Sequence, residues 1–501
     1  MITMKKRPHI ILFNPDQWRG DVLGHMGNPA AVTPNLDKMT REDGVSFRNA
    51  FCQNPVCTPS RCSFMSGWYP HVRGHRTMYH MMSEEEPVLL KTLKNNGYHV
   101  WWGGKNDLVP SENGFDAYCD MKYEPENQPK PMFGGMFTGG EDNWRGLPGS
   151  DTYYSFLVGK LEKEQGEECY YDSDWANIFG AIEQIKNAPE DKPLCIYLPI
   201  LYPHPPYAVE DPWYSMIDKS KLPNRIKAED LSKDMPSMLA GLRERYNMEG
   251  WSEERWTELR SVYYSMCARV DYQFGLLMQA LKEAGIYDDT AVFFFSDHGD
   301  FTGDYGLVEK TQNTFQDCLT RVPFIVKPPA HHQIKPGISD ALIELVDLAA
   351  TVHEMAGIEA DYTHFGQSLS PLIAGIKEEH REAVFCEGGR MHGEYHCNES
   401  APANEDTSML YWPRGEMQRS EGPEHTKATM IRTKDYKYVK RVYEEDELYD
   451  IKQDPEETTN RINDPNLTSV LFDLKEKMLD FYQQTCDVVP HKRSSREAKA
   501  H

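Results

Sequence analysis

The chain has 501 residues, of which 39% are hydrophobic and 26% are charged. This composition is typical of a soluble globular protein, and the length predicts one large domain together with a smaller one. The 54 basic and 78 acidic side chains give a net charge of −24, which argues against nucleic acid or an anionic membrane surface as a partner.

The cysteines and the N-terminal residues predict the compartment. Eleven cysteines are scattered along the chain without close-spaced pairs, a pattern that favours neither a disulfide framework nor a zinc site. The apolar run at residues 10–13, which follows Lys5, Lys6 and Arg7, is too short for a signal peptide or a membrane span. We therefore predict a cytoplasmic protein without a membrane partner.

The first predicted element is a buried strand at residues 9–14, an apolar run that ends in polar residues. Asp16 and Gln17 follow at its carboxyl end, the edge at which open α/β sheets bind ligands. A helix N-cap is the alternative role for Asp16. Its position just past the first strand favours a metal ligand.

A helix is predicted to begin at residues 57–61, whose sequence is Cys-Thr-Pro-Ser-Arg. Pro55 and Pro59 restrict the chain on both sides of Cys57, and the free N–H groups of a helix start favour anionic ligands. Arg61 adds a permanent cation one turn later. A buried thiol that only packs is the alternative, but it leaves the proline, serine and arginine unexplained.

Basic residues follow this helix and the next predicted strand. Three of them are candidates for substrate contact, with an ordinary surface position as the alternative: Arg73, His75 and Arg76. The strand at residues 98–102 then leads into Lys105 and Asp107 at its carboxyl end. Lys105 is a candidate catalytic residue and Asp107 a candidate substrate contact.

Two more buried strands are predicted at residues 194–198 and 291–296, with a core helix at residues 262–285 between them. The first strand leads to His204, which lies between prolines and so cannot be in a helix interior. The second delivers Asp297 and His298 at its carboxyl end. Lys310 comes in the loop after them.

Two long stretches lack clear periodicity. Residues from about 110 to 190 are predicted to be surface excursions, where specificity often resides. Residues 387–425 form a second irregular stretch, and a connection of that length inside a compact protein is usually functional. It holds His392, His396 and Arg414, which we predict to contact the substrate. A solvated, mobile loop is the alternative.

The pattern changes near residue 380. Alternating residues predict a hairpin at 428–432 and 436–440, and an amphipathic helix is predicted at 468–484. We therefore predict a catalytic domain at residues 1–380 and a C-terminal subdomain at residues 381–501.

These motifs resemble those of the formylglycine-dependent sulfatases of the alkaline phosphatase superfamily, over nearly the whole chain. Cys-x-Pro-Ser-Arg at Cys57 is the maturation signature of that family. Further family motifs follow in order: Asp16-Gln17, Thr33-Pro34-Asn35-Leu36-Asp37, Lys105, Pro203-His204-Pro205-Pro206, Ser296-Asp297-His298-Gly299, Lys310 and Arg321-Val322-Pro323. Relatives commonly have a histidine where this chain has Asp107, so the role of that histidine does not carry over.

The resemblance implies the fold and the cofactors. The implied fold is α/β, with a large mixed, mostly parallel sheet sandwiched by helices and a smaller C-terminal antiparallel sheet plus helix. Cys57 would be oxidised to formylglycine by a sulfatase-maturing enzyme, and its hydrated aldehyde would be the nucleophile. The implied metal ligands are Asp16, Gln17, Asp297, His298 and the residue made from Cys57, a set that suits Ca²⁺, with Mg²⁺ or Mn²⁺ as alternatives.

The predicted reaction is hydrolysis of a sulfate ester, which needs charge neutralisation and protonation of the leaving oxygen. By resemblance, Arg61 and Lys105 balance the sulfuryl charge together with Lys310. His204 or Lys310 protonates the leaving oxygen. The predicted substrate is a small sulfated carbohydrate or an aryl or steroid sulfate. Two alternatives are a phosphonate monoester or phosphate diester hydrolase of the same superfamily, and a non-catalytic protein that binds a sulfated ligand through an unconverted Cys57.

Overall fold

A large sheet runs through the centre of the molecule in the computed structural model, which describes residues 7–130, 145–147, 149–399 and 407–492. The strands are β1 (His9–Asp16), β2 (Val45–Phe51), β3 (His99–Trp102), β4 (Met121–Lys122), β5 (Leu157–Leu161), β6 (Leu194–Pro203), β7 (Tyr207–Glu210), β8 (Thr290–Phe295), β9 (Arg321–Val322), β10 (Phe324–Lys327), β11 (Gly337–Glu344), β12 (Val384–Gly388), β13 (Ala428–Arg432), β14 (Tyr436–Arg441) and β15 (Glu447–Asp450). The helices are α1 (Pro34–Glu42), α2 (Cys57–Ser66), α3 (Pro70–Arg73), α4 (Leu89–Asn95), α5 (Ser173–Lys186), α6 (Ser237–Tyr246), α7 (Glu253–Glu283), α8 (Asp317–Thr320), α9 (Asp347–Ala356), α10 (Ser370–Ile373), α11 (Trp412–Arg419) and α12 (Thr468–Thr485).

Within the described residues, nine strands form the large sheet, in the order β11-β2-β10-β8-β1-β6-β3-β4, with β9 paired to β2. Strand β1 lies in the middle and is parallel to both β6 and β8. Strand β3 continues the parallel order beside β6, whereas β10 is antiparallel to β8 and β2. The sheet is therefore mixed and mostly parallel, which confirms the predicted fold class.

Helices cover both faces of this sheet, and the pleat of β1 shows how. Ile11 and Phe13 face a core that includes Phe274 of α7, with the rings of Phe13 and Phe274 5.3 Å apart. The alternate residues Ile10 and Leu12 face a second core, which includes side chains of α2, α4 and α9. A strand buried on both faces reads as a continuous apolar run, which is why the sequence pattern identified β1, β3, β6 and β8.

Two helices extend beyond their sequence predictions. Helix α7 begins at Glu253, well before residue 262, because the Ser252 side chain caps it by accepting a hydrogen bond from the Arg255 N–H. Helix α5 lies inside the stretch predicted to be irregular, capped by Asp172. Each of these two helix starts depends on its own polar capping residue, which a pattern of apolar residues does not reveal.

A second sheet, β12-β13-β14-β15, is antiparallel throughout. One of its faces packs on α12, with the rings of Phe385 and Phe481 stacked at 3.8 Å. The other face contributes Met430 and Val439 to the core of the large sheet. The predicted hairpin and terminal helix are therefore confirmed, whereas the division at residue 380 stays a prediction.

The described residues contain no helix that is long and apolar enough to cross a membrane. All eleven cysteines are free thiols, and most of them are buried.

Candidate active site

Cys57 is the first residue of α2 and lies at the carboxyl ends of the central strands. Strand β1 ends at Asp16, and Asp297 follows β8 after one residue. Helix α2 begins after Val56, an extended residue without a side-chain cap bond. The prediction that a helix begins at Cys57 is confirmed, and the structure adds that this helix start lies at the carboxyl edge of the sheet.

The serine and arginine of the Cys57 motif tie α2 to these strand ends. Ser60 Oγ donates a hydrogen bond of 2.6 Å to the carbonyl oxygen of Asp297. Arg61 is fully buried and bridges two carboxylates, with its Nη2 2.9 Å from Asp16 Oδ2 and its Nε 3.0 Å from Asp297 Oδ2. These contacts explain the serine and the arginine of the motif. The alternative role of Cys57 as a buried thiol that only packs does not explain them.

The Cys57 thiol faces charged and ligating groups. Its Sγ lies 3.2 Å from His298 Nε2, 3.5 Å from Asp16 Oδ1 and 3.6 Å from Lys105 Nζ. Burial, followed by the negative charge of Asp16, raises the pKa of this thiol. The unmodified side chain is thus protonated and a poor nucleophile.

Four side chains at this point are suited to hold a cation. Asp16, Cys57, Asp297 and His298 offer ligand atoms that all lie within 4.8 Å of one another. His298 Nδ1 lies 3.0 Å from the Gly299 carbonyl oxygen, to which it donates, so Nε2 keeps a free lone pair towards the cluster. Two buried carboxylates, an imidazole nitrogen and an oxygen at position 57 after conversion fit a divalent metal ion.

Gln17, the fifth predicted ligand, lies beside this cluster with its amide already bonded. Its Nε2 donates to Asp300 Oδ2 at 2.6 Å and its Oε1 accepts from Lys310 Nζ at 2.7 Å. Asp300, absent from our sequence candidates, also accepts from the Tyr207 hydroxyl at 2.9 Å. Because a carboxylate only accepts, Asp300 orients the Gln17 amide with its oxygen towards Lys310.

Lys105 and Asp107 form an ion pair next to Cys57. Lys105 Nζ lies 2.7 Å from Asp16 Oδ2 and 2.8 Å from Asp107 Oδ2. Burial alone would raise the pKa of Asp16, but Lys105 and Arg61 hold it well below its usual range. Asp107 thus occupies the place of the family's histidine with a carboxylate that stabilises the charge of Lys105.

Lys310 lies in a second ionic chain that local sequence patterns did not reveal. Its Nζ is 2.7 Å from Glu309 Oε1, and Glu309 Oε2 is 2.9 Å from Arg414 Nη2. Arg414 Nη1 also donates to the Lys310 carbonyl oxygen at 3.0 Å. Burial would raise the pKa of Glu309, yet Arg414 and Lys310 lower it to about 2.

His204 lies beyond β6 and is almost completely buried. Its Nδ1 is 2.5 Å from the Pro205 carbonyl oxygen. Burial, and next the charge of Lys310, lower its pKa to about 3. His204 is therefore neutral near pH 7, with Nδ1 donating to that carbonyl and Nε2 able only to accept.

The family model for sulfatases matches residues 8–358. The chain belongs to the sulfatase family. Its relatives include the multifunctional alkaline phosphatase superfamily protein PehA of Trinickia caryophylli, 24% identical over 98% of each chain, and an ulvan-active sulfatase of Formosa agariphila, 26% identical over 94% of this chain and 80% of its own. The phosphonate monoester hydrolase of Agrobacterium radiobacter shares the fold with a TM-score of 0.75 at 21% identity, covering 97% of this chain and 100% of its own.

This sulfatase-family hydrolase has a cavity of about 480 Å³ above Cys57. Its charged and polar lining includes Lys105, Asp107, His204, Lys310 and Arg414. The remaining wall is largely apolar and includes Val56, Met78, Tyr79, Met81, Met409, Tyr411 and Trp412. The second irregular stretch, residues 387–425, supplies one wall of this cavity through α11. Its residues 400–406 lie outside the described residues.

Five of the predicted substrate contacts lie outside this cavity. Arg73 is exposed over the Trp68 ring, Arg76 pairs with Glu394, and His75 bonds to the His80 carbonyl and to Glu86. His392 stacks on Tyr443, and the exposed His396 lies near His80. Arg73, His75 and Arg76 follow Cys57 closely in sequence, but the ten residues of α2 carry the chain roughly 15 Å away.

Arg414 does line the cavity, but its guanidinium is already bonded to Glu309 and to the Lys310 carbonyl. We therefore expect Arg414→Ala to act by releasing Lys310, with kcat falling roughly tenfold to a hundredfold and KM changing little. Steady-state kinetics on one large and one small sulfate ester would check this, with Arg414→Lys retaining part of the activity. A loss confined to the KM of the larger substrate would instead indicate direct substrate contact.

Proposed function

We propose that this enzyme hydrolyses sulfate esters of small alcohols and releases inorganic sulfate, with a formylglycine made from Cys57 as nucleophile and one divalent metal ion. The observation that supports this most strongly is the setting of Cys57. A protonated thiol lies beside Asp16, His298 and Lys105, in a cluster of side chains that could hold a metal ion. An oxygen nucleophile at position 57 suits that setting better than sulfur, because carboxylates select hard cations that prefer oxygen ligands.

The cations around Cys57 would hold the sulfuryl group. Lys105 and Lys310 both border the cavity, where point charges can neutralise sulfuryl oxygens as negative charge moves onto the leaving oxygen. Arg61 is bonded to Asp16 and Asp297 and fully buried, so it would keep the two carboxylates in place. When bound, the metal ion, preferably Ca²⁺, would lower the pKa of the attacking hydroxyl and hold a sulfate oxygen.

Lys310 is the better candidate for protonating the leaving oxygen. Burial opposes its charge, yet neighbouring negative groups, among them Glu309 and Asp16, raise the pKa of Lys310 above its usual range. The ammonium group thus carries a proton and faces the cavity. His204 Nε2, which can only accept in the neutral ring, would instead receive a hydrogen bond from the substrate.

Hydrolysis of a phosphonate monoester or phosphate diester is the second candidate function. The relative PehA is described as multifunctional and aligns over almost the whole chain, and this chain shares the Asp16-Gln17 pair that the resemblance links to such enzymes. The third alternative, a non-catalytic binding protein, lacks support because Cys57, both carboxylates and both lysines are present together.

A substrate panel separates the first two functions. We expect enzyme produced with a sulfatase-maturing enzyme to show kcat/KM for sulfate monoesters at least about a hundredfold above that for a matched phosphonate monoester and a phosphodiester. Release of inorganic sulfate and of the alcohol would be measured in parallel. A higher kcat/KM on the phosphonate or the diester would assign the enzyme to the second function.

A further inference from the structure

Asp107 places a negative charge close to Cys57, at the position where relatives commonly have a histidine. Its Oδ2 lies 2.8 Å from Lys105 Nζ, and that Nζ lies 3.6 Å from Cys57 Sγ. Asp107 lines the cavity above Cys57, and 18% of its side chain is exposed. An anionic group that binds at Cys57 is therefore within short range of this carboxylate.

The backbone around Asp107 fixes the place of this carboxylate. Asp107 has a φ of 42°, a left-handed conformation that aspartate and asparagine adopt more readily than most other residues. The side chain of Asn106 holds the turn. Its Nδ2 donates to the Val109 carbonyl oxygen at 2.6 Å, and its Oδ1 accepts the N–H groups of Leu108 and Val109 at 3.3 and 3.2 Å. The negative charge is thus built into the wall of the cavity.

Lys105 neutralises this charge only in part. Its Nζ also lies 2.7 Å from Asp16 Oδ2, so one ammonium group serves two carboxylates. Burial would raise the pKa of Asp107, yet Lys105 and then Arg61 lower it, and the carboxylate is ionised near pH 7. An anion at Cys57 is therefore repelled by Asp107 while the cations of the site attract it.

Sulfate and phosphate esters of the same alcohol differ mainly in charge. Both reacting groups are tetrahedral and have three terminal oxygens. The sulfate ester carries one negative charge, whereas the phosphate monoester, whose second pKa is about 6, carries close to two well above that pH. Because the Coulomb energy scales with the product of the charges, Asp107 disfavours the phosphate monoester about twice as strongly as the sulfate ester.

We propose that Asp107 is a specificity-determining residue that admits monoanionic esters to the cavity and excludes dianionic phosphate monoesters. Shape does not separate the two groups, whereas a fixed like charge does. This inference rests on the proposed hydrolysis at Cys57 and adds the charge class of the substrate. Phosphonate monoesters and phosphodiesters are monoanions as well, so Asp107 does not separate them from sulfate esters.

The variant Asp107→Asn tests this role, because asparagine keeps the shape of the side chain, suits the left-handed backbone and removes only the charge. We expect the ratio of kcat/KM for 4-nitrophenyl phosphate to kcat/KM for 4-nitrophenyl sulfate to rise about tenfold to a hundredfold at about pH 8. Asp116→Asn, at an exposed position, is the matched control and should leave this ratio unchanged. Asp107→Gly, which also suits the backbone, repeats the test if Asp107→Asn does not fold.

A second arm measures binding without turnover, and it decides the matter where phosphate turnover is too slow to measure. Benzenesulfonate and phenylphosphonate have the same shape, but at about pH 9 they carry one and two negative charges. Titration calorimetry at that pH should show the Kd of phenylphosphonate, relative to that of benzenesulfonate, falling about tenfold in Asp107→Asn. The change should be much smaller at about pH 5, where both ligands are monoanions.

Two results would overturn the role of Asp107. Equal losses on both esters, with an unchanged ratio of the two Kd values, would show that Asp107 only supports the charge of Lys105, and the sulfatase function would stand. A lower ratio of phosphate to sulfate hydrolysis in Asp107→Asn would also contradict the charge argument. Hydrolysis of a phosphonate monoester without any hydrolysis of sulfate esters would overturn the proposed function instead. The ratio of phosphate monoester to phosphonate monoester hydrolysis would then test Asp107 in the same way.

Discussion

Replacing Cys57 by alanine is expected to reduce sulfate ester hydrolysis by at least about 10⁴-fold, because the variant keeps the cavity and its cations but has no nucleophile. The matched control is Cys62→Ala on the same helix. Cys62 is equally buried and packs in a core of the large sheet, outside the cluster that could hold a metal ion. Its substitution should cost about 1 kcal/mol of stability and leave kcat within about threefold.

Both variants would be produced with the maturing enzyme and assayed on a sulfated sugar and an aryl sulfate, with thermal melting as the check on folding. Activity of Cys57→Ala within tenfold of the wild type would show that position 57 is not the nucleophile. A large loss in Cys62→Ala with an unchanged melting temperature would show that the control residue takes part in the reaction.

The second large effect is expected for Asp297→Ala, which should remove the metal ion and the activity together. Asp297 Oδ2 lies 2.8 Å from Arg61 Nη2, and Asp297 Oδ1 accepts the N–H groups of Gln17 and His298 at 3.1 and 3.0 Å. Its loss removes a ligand, leaves the charge of the ion less compensated and frees Arg61 from one of its two partners. We expect turnover to fall at least about 10³-fold.

Metal content measured on the purified protein by elemental analysis gives a readout that does not depend on activity. The wild type should carry one equivalent of a divalent ion, which also identifies the metal, and Asp297→Ala should carry less than about a tenth of that. Asp340→Ala, at an exposed pair with Arg48, is the matched control and should keep both metal and activity. Stoichiometric metal in Asp297→Ala would contradict the assigned ligand set.

The gathering of Asp16, His204 and Asp297 could be predicted from the sequence, because each follows an apolar run that is recognisable as a buried strand. Parallel strands end at the same edge of a sheet, so residues distant in sequence meet there. The contacts of Ser60 and Arg61 were not predicted: Arg61 was expected to balance the sulfuryl charge, whereas in the structure it bridges Asp16 and Asp297.

The ionic chain of Glu309, Lys310 and Arg414 could not be predicted in the same way. Arg414 and Lys310 are 104 residues apart, and their contact depends on how α11 packs against the loop after β8. No local pattern distinguishes Glu309 from the other acidic residues of the chain. Conversely, closeness in sequence was misleading for Arg73, His75 and Arg76, because α2 separates them from Cys57.

Asp300 and Asp107 show a third reason why the site could not be fully predicted from the sequence. Asp300 follows Asp297 and His298 directly, yet its role depends on bonding to the side chain of Gln17, which only the three-dimensional arrangement shows. Asp107 was predicted as a candidate substrate contact at a departure from the family pattern. In the structure it stabilises the charge of Lys105 from the position where relatives commonly have a histidine.

The most direct test of the account is the residue at position 57 in the active enzyme. Peptide mass spectrometry would measure the fraction of chains in which the Cys57 thiol has been replaced by an aldehyde oxygen, in preparations made with increasing amounts of maturing enzyme. The account predicts that kcat per chain rises in proportion to that fraction and extrapolates to zero at zero conversion. Full activity in a preparation that contains only intact cysteine would contradict it.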